Sequence, residues 1–171
     1  MFDTLSRTFV IFALAALLGS GGALAAEKAT PLGWEDLIPP EAATGKARAA
    51  RGIVTDQTVT PEMFEAAPAG VVQELDGKLV RMPGFLVPLT YSGKKVTEFL
   101  LVPYFGACIH VPPPPPNQIV LIHSAKGVTI KDYFDAVVVT GKLKVASVAT
   151  ELADVGYRME ADKVEAYDPT K

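Results

Sequence analysis

Residues 156–167 read Gly-Tyr-Arg-Met-Glu-Ala-Asp-Lys-Val-Glu-Ala-Tyr. In an extended chain Tyr157, Met159 and Ala161 fall on one face and Arg158, Glu160 and Asp162 on the other. That two-residue period belongs to a strand with one side buried and one in water. Upstream, residues 136–145 (AVVVTGKLKV) form a β-branched run with a bend expected at Gly141. Residues 78–89 (KLVRMPGFLVPL) read as a strand interrupted at Pro83-Gly84, where glycine suggests a bulge or sharp bend. Thr97 to Val102 and Gln118 to His123 supply two further strands, Ser92-Gly93 a turn, and Thr150 to Asp154 a short helix before the last strand. Five short strands with internal glycines predict a mainly β fold, a small five-stranded OB-like barrel whose closure removes exposed edges. An open α+β sheet with an N-terminal helix packed on it is the alternative.

The barrel is expected over residues 71–171, after an arm, linker and short helix over 26–70. In the arm, Pro31, Pro39 and Pro40 bracket Trp34-Glu35-Asp36-Leu37-Ile38, whose apolar members suit an anchor laid over a hydrophobic surface. Residues 41–52 are small, polar and basic, and read as a linker or a frayed helix. Thr60-Pro61 has the N-cap and first-position proline of a helix that carries Met63 and Phe64 and stops before Pro68.

Residues 1–25 have the order of a secretory signal: Arg7, the apolar run Phe9 to Leu18, the helix-breaking Gly19-Ser20-Gly21-Gly22, then Ala23-Leu24-Ala25. The run falls short of the ~20 apolar residues that span a bilayer. Export to the periplasm is therefore expected, with a free mature form that is not inserted in the membrane. The sole cysteine, Cys108, lies far from the signal, so no lipid anchor is expected. A net charge of -3 argues against nucleic acid as a partner. One cysteine allows no internal disulfide, and an unpaired thiol is unusual in an oxidising compartment.

That thiol lies in Val-Pro-Tyr-Phe-Gly-Ala-Cys-Ile-His-Val-Pro-Pro-Pro-Pro-Pro-Asn-Gln, residues 102–118. Gly106 permits a sharp turn after Tyr104 and Phe105. Cys108 and His110 stand two apart and so share a face in extended chain. Pro112, Pro113, Pro114, Pro115 and Pro116, followed by Asn117, make a stiff polyproline rod that rises about 3.1 Å per residue. Thiolate and imidazole are ligands for zinc, or for copper in suitable geometry. His123, at the end of the next strand, is the expected third ligand, with a carboxylate such as Glu98 or a water as the fourth. The plain reading makes Cys108 a small buried hydrophobe and His110 a turn residue. Two other readings remain. Cys108 activated by His110 would be a nucleophile, but no acid is placed to orient the histidine. Tyr104 and Phe105 beside the proline rod would form a groove for a partner. The chain has no phosphate-binding glycine loop, G-x-S-x-G elbow or H-E-x-x-H, and no catalytic residue is assigned.

GFLVPL at 84–89, FLLVPYFGACIHVPPPPPNQIV at 99–120, GYRMEADKVEAY at 156–167 and Trp34 to Pro39 together resemble the bacterial family known as domain of unknown function 3299. The resemblance spans essentially the whole exported chain, and its C-x-H-x-P-P-P-P motif is specific. It implies a secreted or lipid-anchored periplasmic protein of Gram-negative bacteria; this chain lacks the lipid-acceptor cysteine of anchored members. It also implies genomic neighbours among ABC transporter components connected with zinc acquisition, and it carries over no catalytic residue. The leading expectation is a non-enzymatic periplasmic accessory protein that binds a transition metal, zinc foremost, through Cys108, His110 and His123. The alternative is a structural or recognition adaptor for an ABC transporter or other envelope complex, without metal. A thiol-dependent enzyme is third.

Overall fold

The computed structural model describes residues 28–40, 70–109 and 113–168. The expected signal, linker and Thr60-Pro61 helix lie outside the described residues, as do His110 and Pro112. The strands are β1 (Thr30–Pro31), β2 (Leu79–Ser92), β3 (Lys95–Val102), β4 (Val120–Val128), β5 (Ala136–Ala149) and β6 (Asp154–Ala166). The helices among the described residues are 3₁₀ turns of three or four residues, at Trp34–Leu37, Gln73–Leu75 and Pro116–Gln118.

The long strands close into a ring in the order β2-β3-β4-β6-β5-β2. All neighbours are antiparallel except β4 and β6, which run parallel from Val120↔Tyr157 to His123↔Glu160. This is the mainly β, five-stranded Greek-key ring of an OB-like barrel, and its closure leaves no open α+β sheet. β1 adds two residues in parallel to Val80 and Arg81 of β2.

The expected break at Pro83-Gly84 does not occur. Both residues pair in unbroken register with Val138 and Val137 of β5, and the irregularities of β2 fall later, between Pro88 and Tyr91. Gly84 is required by crowding: a Cβ there would stand 2.6 Å from Leu101 Cγ and 3.0 Å from the Trp34 ring. The bend at Gly141 is present as a register shift between Thr140 and Gly141, where a side chain would run into the Glu160 carbonyl. Alternation along β6 also holds, with Tyr157 and Met159 buried and Arg158 and Glu160 exposed. Thr150 to Asp154 is a turn and not a helix. The Thr150 hydroxyl donates to the Ala153 carbonyl at 2.7 Å and accepts its N–H at 3.0 Å, a local bonding pattern that competes with helix formation.

Apolar side chains form two layers. Val80, Met82, Leu86, Phe99, Leu101, Ile122, Val139, Leu143, Tyr157 and Met159 fill the barrel. The arm enters the same layer through Trp34 and Leu37, both fully buried. The Trp34 indole N–H donates to the Pro83 carbonyl at 3.0 Å, and the Tyr157 hydroxyl donates to the Leu37 carbonyl at 2.9 Å while accepting the Val72 N–H at 2.6 Å. The second layer lies outside the ring, on Phe85 and Val87 of β2, Leu100 and Val102 of β3 and Leu121 of β4.

Candidate functional site

The segment joining β3 to β4 covers that second layer. Tyr104, Ala107 and Ile119 are buried in it with Phe134 and Val155, and Cys108 packs against it. Gly106 (φ 85°) and Cys108 (φ 68°) both take left-handed backbone, which glycine tolerates freely and cysteine at a cost of roughly 1–3 kcal/mol. Pro115, at φ -59° and ψ 154°, has the geometry of a polyproline rod. The rod is docked: Pro114 is buried, and the Gln118 amide beyond it donates to the Trp34 carbonyl at 3.0 Å and the Asn117 carbonyl at 3.1 Å. Pro115, Pro116 and Asn117 border a cavity of about 420 Å³ with Gly70, Val71 and Gly156.

Burial pushes the Cys108 thiol up to about 11, so it is held as the neutral thiol near pH 7. Burial, and then Cys108 itself, pushes the Tyr104 hydroxyl up to about 12. His123 lies on β4, two residues beyond Leu121, with its Nδ1 2.7 Å from Glu160 Oε2. Arg158 holds the other Glu160 oxygen at 2.9 Å, and the hydrogen bonds from His123 and Arg158 draw the Glu160 carboxyl below its usual range. Among the described residues no group of three or more His, Cys, Asp or Glu side chains is arranged to hold a metal ion, and neither Cys108 nor His123 is brought into one.

Of the aromatic pair expected to form a groove, Tyr104 is buried and Phe105 faces out, 62% exposed. Two residues not singled out in the sequence join it: Ile109, 46% exposed, and Tyr133, 57% exposed. With Asp132 and Phe134 they line one hollow of about 420 Å³. Phe105 is fixed from beneath, its ring 5.0 Å from that of Phe134 and 5.9 Å, edge-on, from that of Phe85. Tyr133 lies near Tyr91, another exposed ring, whose hydroxyl it helps to push above its usual range. Phe134 has φ 63°, so the two non-glycine residues of positive φ among the described residues, Cys108 and Phe134, stand at this hollow or next to it in the chain. The sequence signal for this rim was Asp132-Tyr133-Phe134-Asp135, two aromatics in a short polar turn.

The fold and site define a closed five-stranded OB-like barrel whose outer face is roofed by its own proline-rich β3–β4 loop, with an aromatic rim where that loop meets the β4–β5 connection. The chain belongs to the family described as Protein of unknown function (DUF3299), whose family model matches residues 34–166. It is similar to the solved DUF3299 family protein PA4066 of Pseudomonas aeruginosa PAO1, at 41% identity and TM-score 0.66, over 83% of this chain and 98% of that one. A likeness to asparaginyl-tRNA synthetase of Pyrococcus horikoshii complexed with asparaginyl-adenylate has 24% identity and TM-score 0.33, over 55% of this chain and 20% of that one. A likeness to OBody AM3L09 bound to hen egg-white lysozyme has 16% identity and TM-score 0.34, over 56% of this chain and 86% of that one. Those two scores are too low to support an argument. No curated protein matches the chain.

Proposed function

We propose that this protein is a non-enzymatic recognition adaptor that docks a partner polypeptide on the rim of Phe105, Ile109 and Tyr133, in the periplasm after export through residues 1–25. One observation carries the reading: three large apolar side chains, exposed and grouped around a single hollow, two from the β3–β4 loop and one from the β4–β5 connection. Exposed apolar groupings of this kind mark interaction surfaces. Strained backbone at Cys108 and Phe134 supports it, since such strain gathers at ligand clamps. Asp132 in the same hollow favours a partner that presents a basic residue beside its apolar anchors. An ABC transporter subunit or another envelope protein is the class of partner proposed.

The test is photo-crosslinking in cells from a probe at position 133, with a control probe at the exposed position 163. A single adduct from 133, absent from 163 and lost on Phe105→Ser, supports the adaptor. No adduct, or one indifferent to Phe105→Ser, overturns it.

Zinc held by Cys108, His110 and His123 is the competing proposal, resting on the two-residue spacing of Cys108 and His110. Titration of metal-stripped protein with zinc and copper separates the two. One tight site weakened by both Cys108→Ser and His110→Ala establishes the metal reading; equal, weak uptake by wild type and variants removes it.

A further inference from the structure

The β3–β4 face is where OB barrels bind their ligands, between the turn joining the first two strands of the ring and the turn joining the last two. Here the β3–β4 connection roofs one part of that face through Leu100, Val102 and Leu121. What stays open is a hollow of about 320 Å³ lined by Leu89, Thr90, Glu98, Leu121, Val148, Ala149, Thr150 and Glu151. Its volume lies within the ~300–1,000 Å³ of small-ligand sites. Leu89, Leu121 and Val148 give it apolar walls, and Thr90 and Thr150 add hydroxyls. Among the described residues, Glu98 and Glu151 supply its charges, and no lysine or arginine lines it.

The ion pairs among the described residues are His123–Glu160, Arg158–Glu160 and Lys163–Glu165; Glu98 and Glu151 are in none of them. Glu98 accepts one long hydrogen bond, 3.3 Å, from Thr90. Two carboxylates in its lining repel a phosphate backbone, so this hollow disfavours the oligonucleotide that OB barrels commonly bind on this face. They suit a group that is apolar along its length and positive at its tip, and lysine and arginine side chains have that build.

We propose that this hollow receives a lysine or arginine side chain of the docked partner, its methylenes against Leu89, Leu121 and Val148 and its cation between Glu98 and Glu151. The inference rests on the adaptor reading and deepens it by naming the partner's chemistry. The two hollows are linked through β2: Thr90 lines this one, and its neighbour Tyr91 lies near Tyr133, which lines the aromatic one.

The experiment titrates isotope-labelled protein with Nα-acetyl-arginine methylamide and with its uncharged citrulline counterpart, following backbone amide shifts. Saturable shifts confined to Thr90, Glu98, Leu121 and Val148 to Glu151, seen with arginine and weakened at least tenfold in Glu98→Gln/Glu151→Gln, support the pocket. Equal shifts with citrulline, or none at these positions, overturn it. Both carboxylates are at least partly exposed, and a thermal melt establishes that the variant is folded. The crosslink from position 133 then separates the two readings. An adduct that forms equally well in the Glu98→Gln/Glu151→Gln variant sinks the cation pocket and leaves the adaptor standing. No adduct in wild type, with the arginine shifts intact, sinks the adaptor and leaves only a hollow that binds the arginine side chain.

Discussion

The indole nitrogen of Trp34 lies 3.0 Å from the carbonyl oxygen of Pro83, forty-nine residues further along the chain. This bond fastens the N-terminal arm to the first long strand, next to the point where that strand starts to pair with β3 at Phe85. Trp34 is fully buried, so removing it leaves a large void and strands a carbonyl. Trp34→Ala is expected to cost about 3–5 kcal/mol, measured by urea unfolding. A cost below ~1 kcal/mol would mean that the barrel is complete without its arm.

Gly84→Ala places a methyl group against Leu101 and the Trp34 ring, and overpacking of this kind costs about 1–3 kcal/mol. The contrast is Gly93→Ala in the β2–β3 turn, where space is open and the penalty comes from φ 61° alone, roughly 1–2 kcal/mol. The pair Gly84→Ala/Trp34→Ala discriminates the mechanism. If crowding is the cause, the methyl group costs much less once the indole is gone, and a double-mutant cycle reads that coupling.

Tyr157→Phe removes a hydroxyl that serves both Val72 and Leu37. The loss is expected at about 1–3 kcal/mol, because two backbone groups lose their partner with little change in volume. Hydrogen exchange should show faster exchange at Val72 than in the β5–β6 ladder. Uniform acceleration across the barrel would assign Tyr157 a global role instead.

Cys108 should react slowly with iodoacetamide near pH 8, and the rate should climb until the pH passes about 11, where burial has placed its ionisation. The sign for stability follows from the same displacement. The folded value lies above the ordinary thiol value of 9.0, so the neutral thiol's contribution is intact below pH 9 and is lost as pH rises toward 11. Cys108→Ala should flatten that alkaline slope. A thiol already fully reactive at pH 7 would show that the loop opens readily.

Much of this architecture was legible because the strands carry local signals. The alternation of Tyr157, Met159 and Ala161 reads the same in an isolated strand as in the barrel. Gly141 marked a true register shift. Gly84 was misread because its reason is the distant Trp34 ring, and sequence-local rules see glycine only as a backbone device. The candidate site was half legible. The loop around Gly106 stood out, but its chemistry drew attention to Cys108, whose thiol is packed against the outer apolar layer. Ile109 and Tyr133 look like core residues by type, and only tertiary placement turns them outward.

The last strand among the described residues, β6, is also the one wedged between two earlier ones, parallel to β4 on one side and antiparallel to β5 on the other. A chain emerging from its N-terminus therefore lacks the stave that closes the ring until residues 154–166 have been made. Until then β4 and β5 each keep a bare edge, and the long-range pairings that define the barrel cannot all form. A truncation before Asp154 is expected to give an aggregating fragment rather than a smaller barrel. The fold is a clasp that only residues 154–166 can fasten.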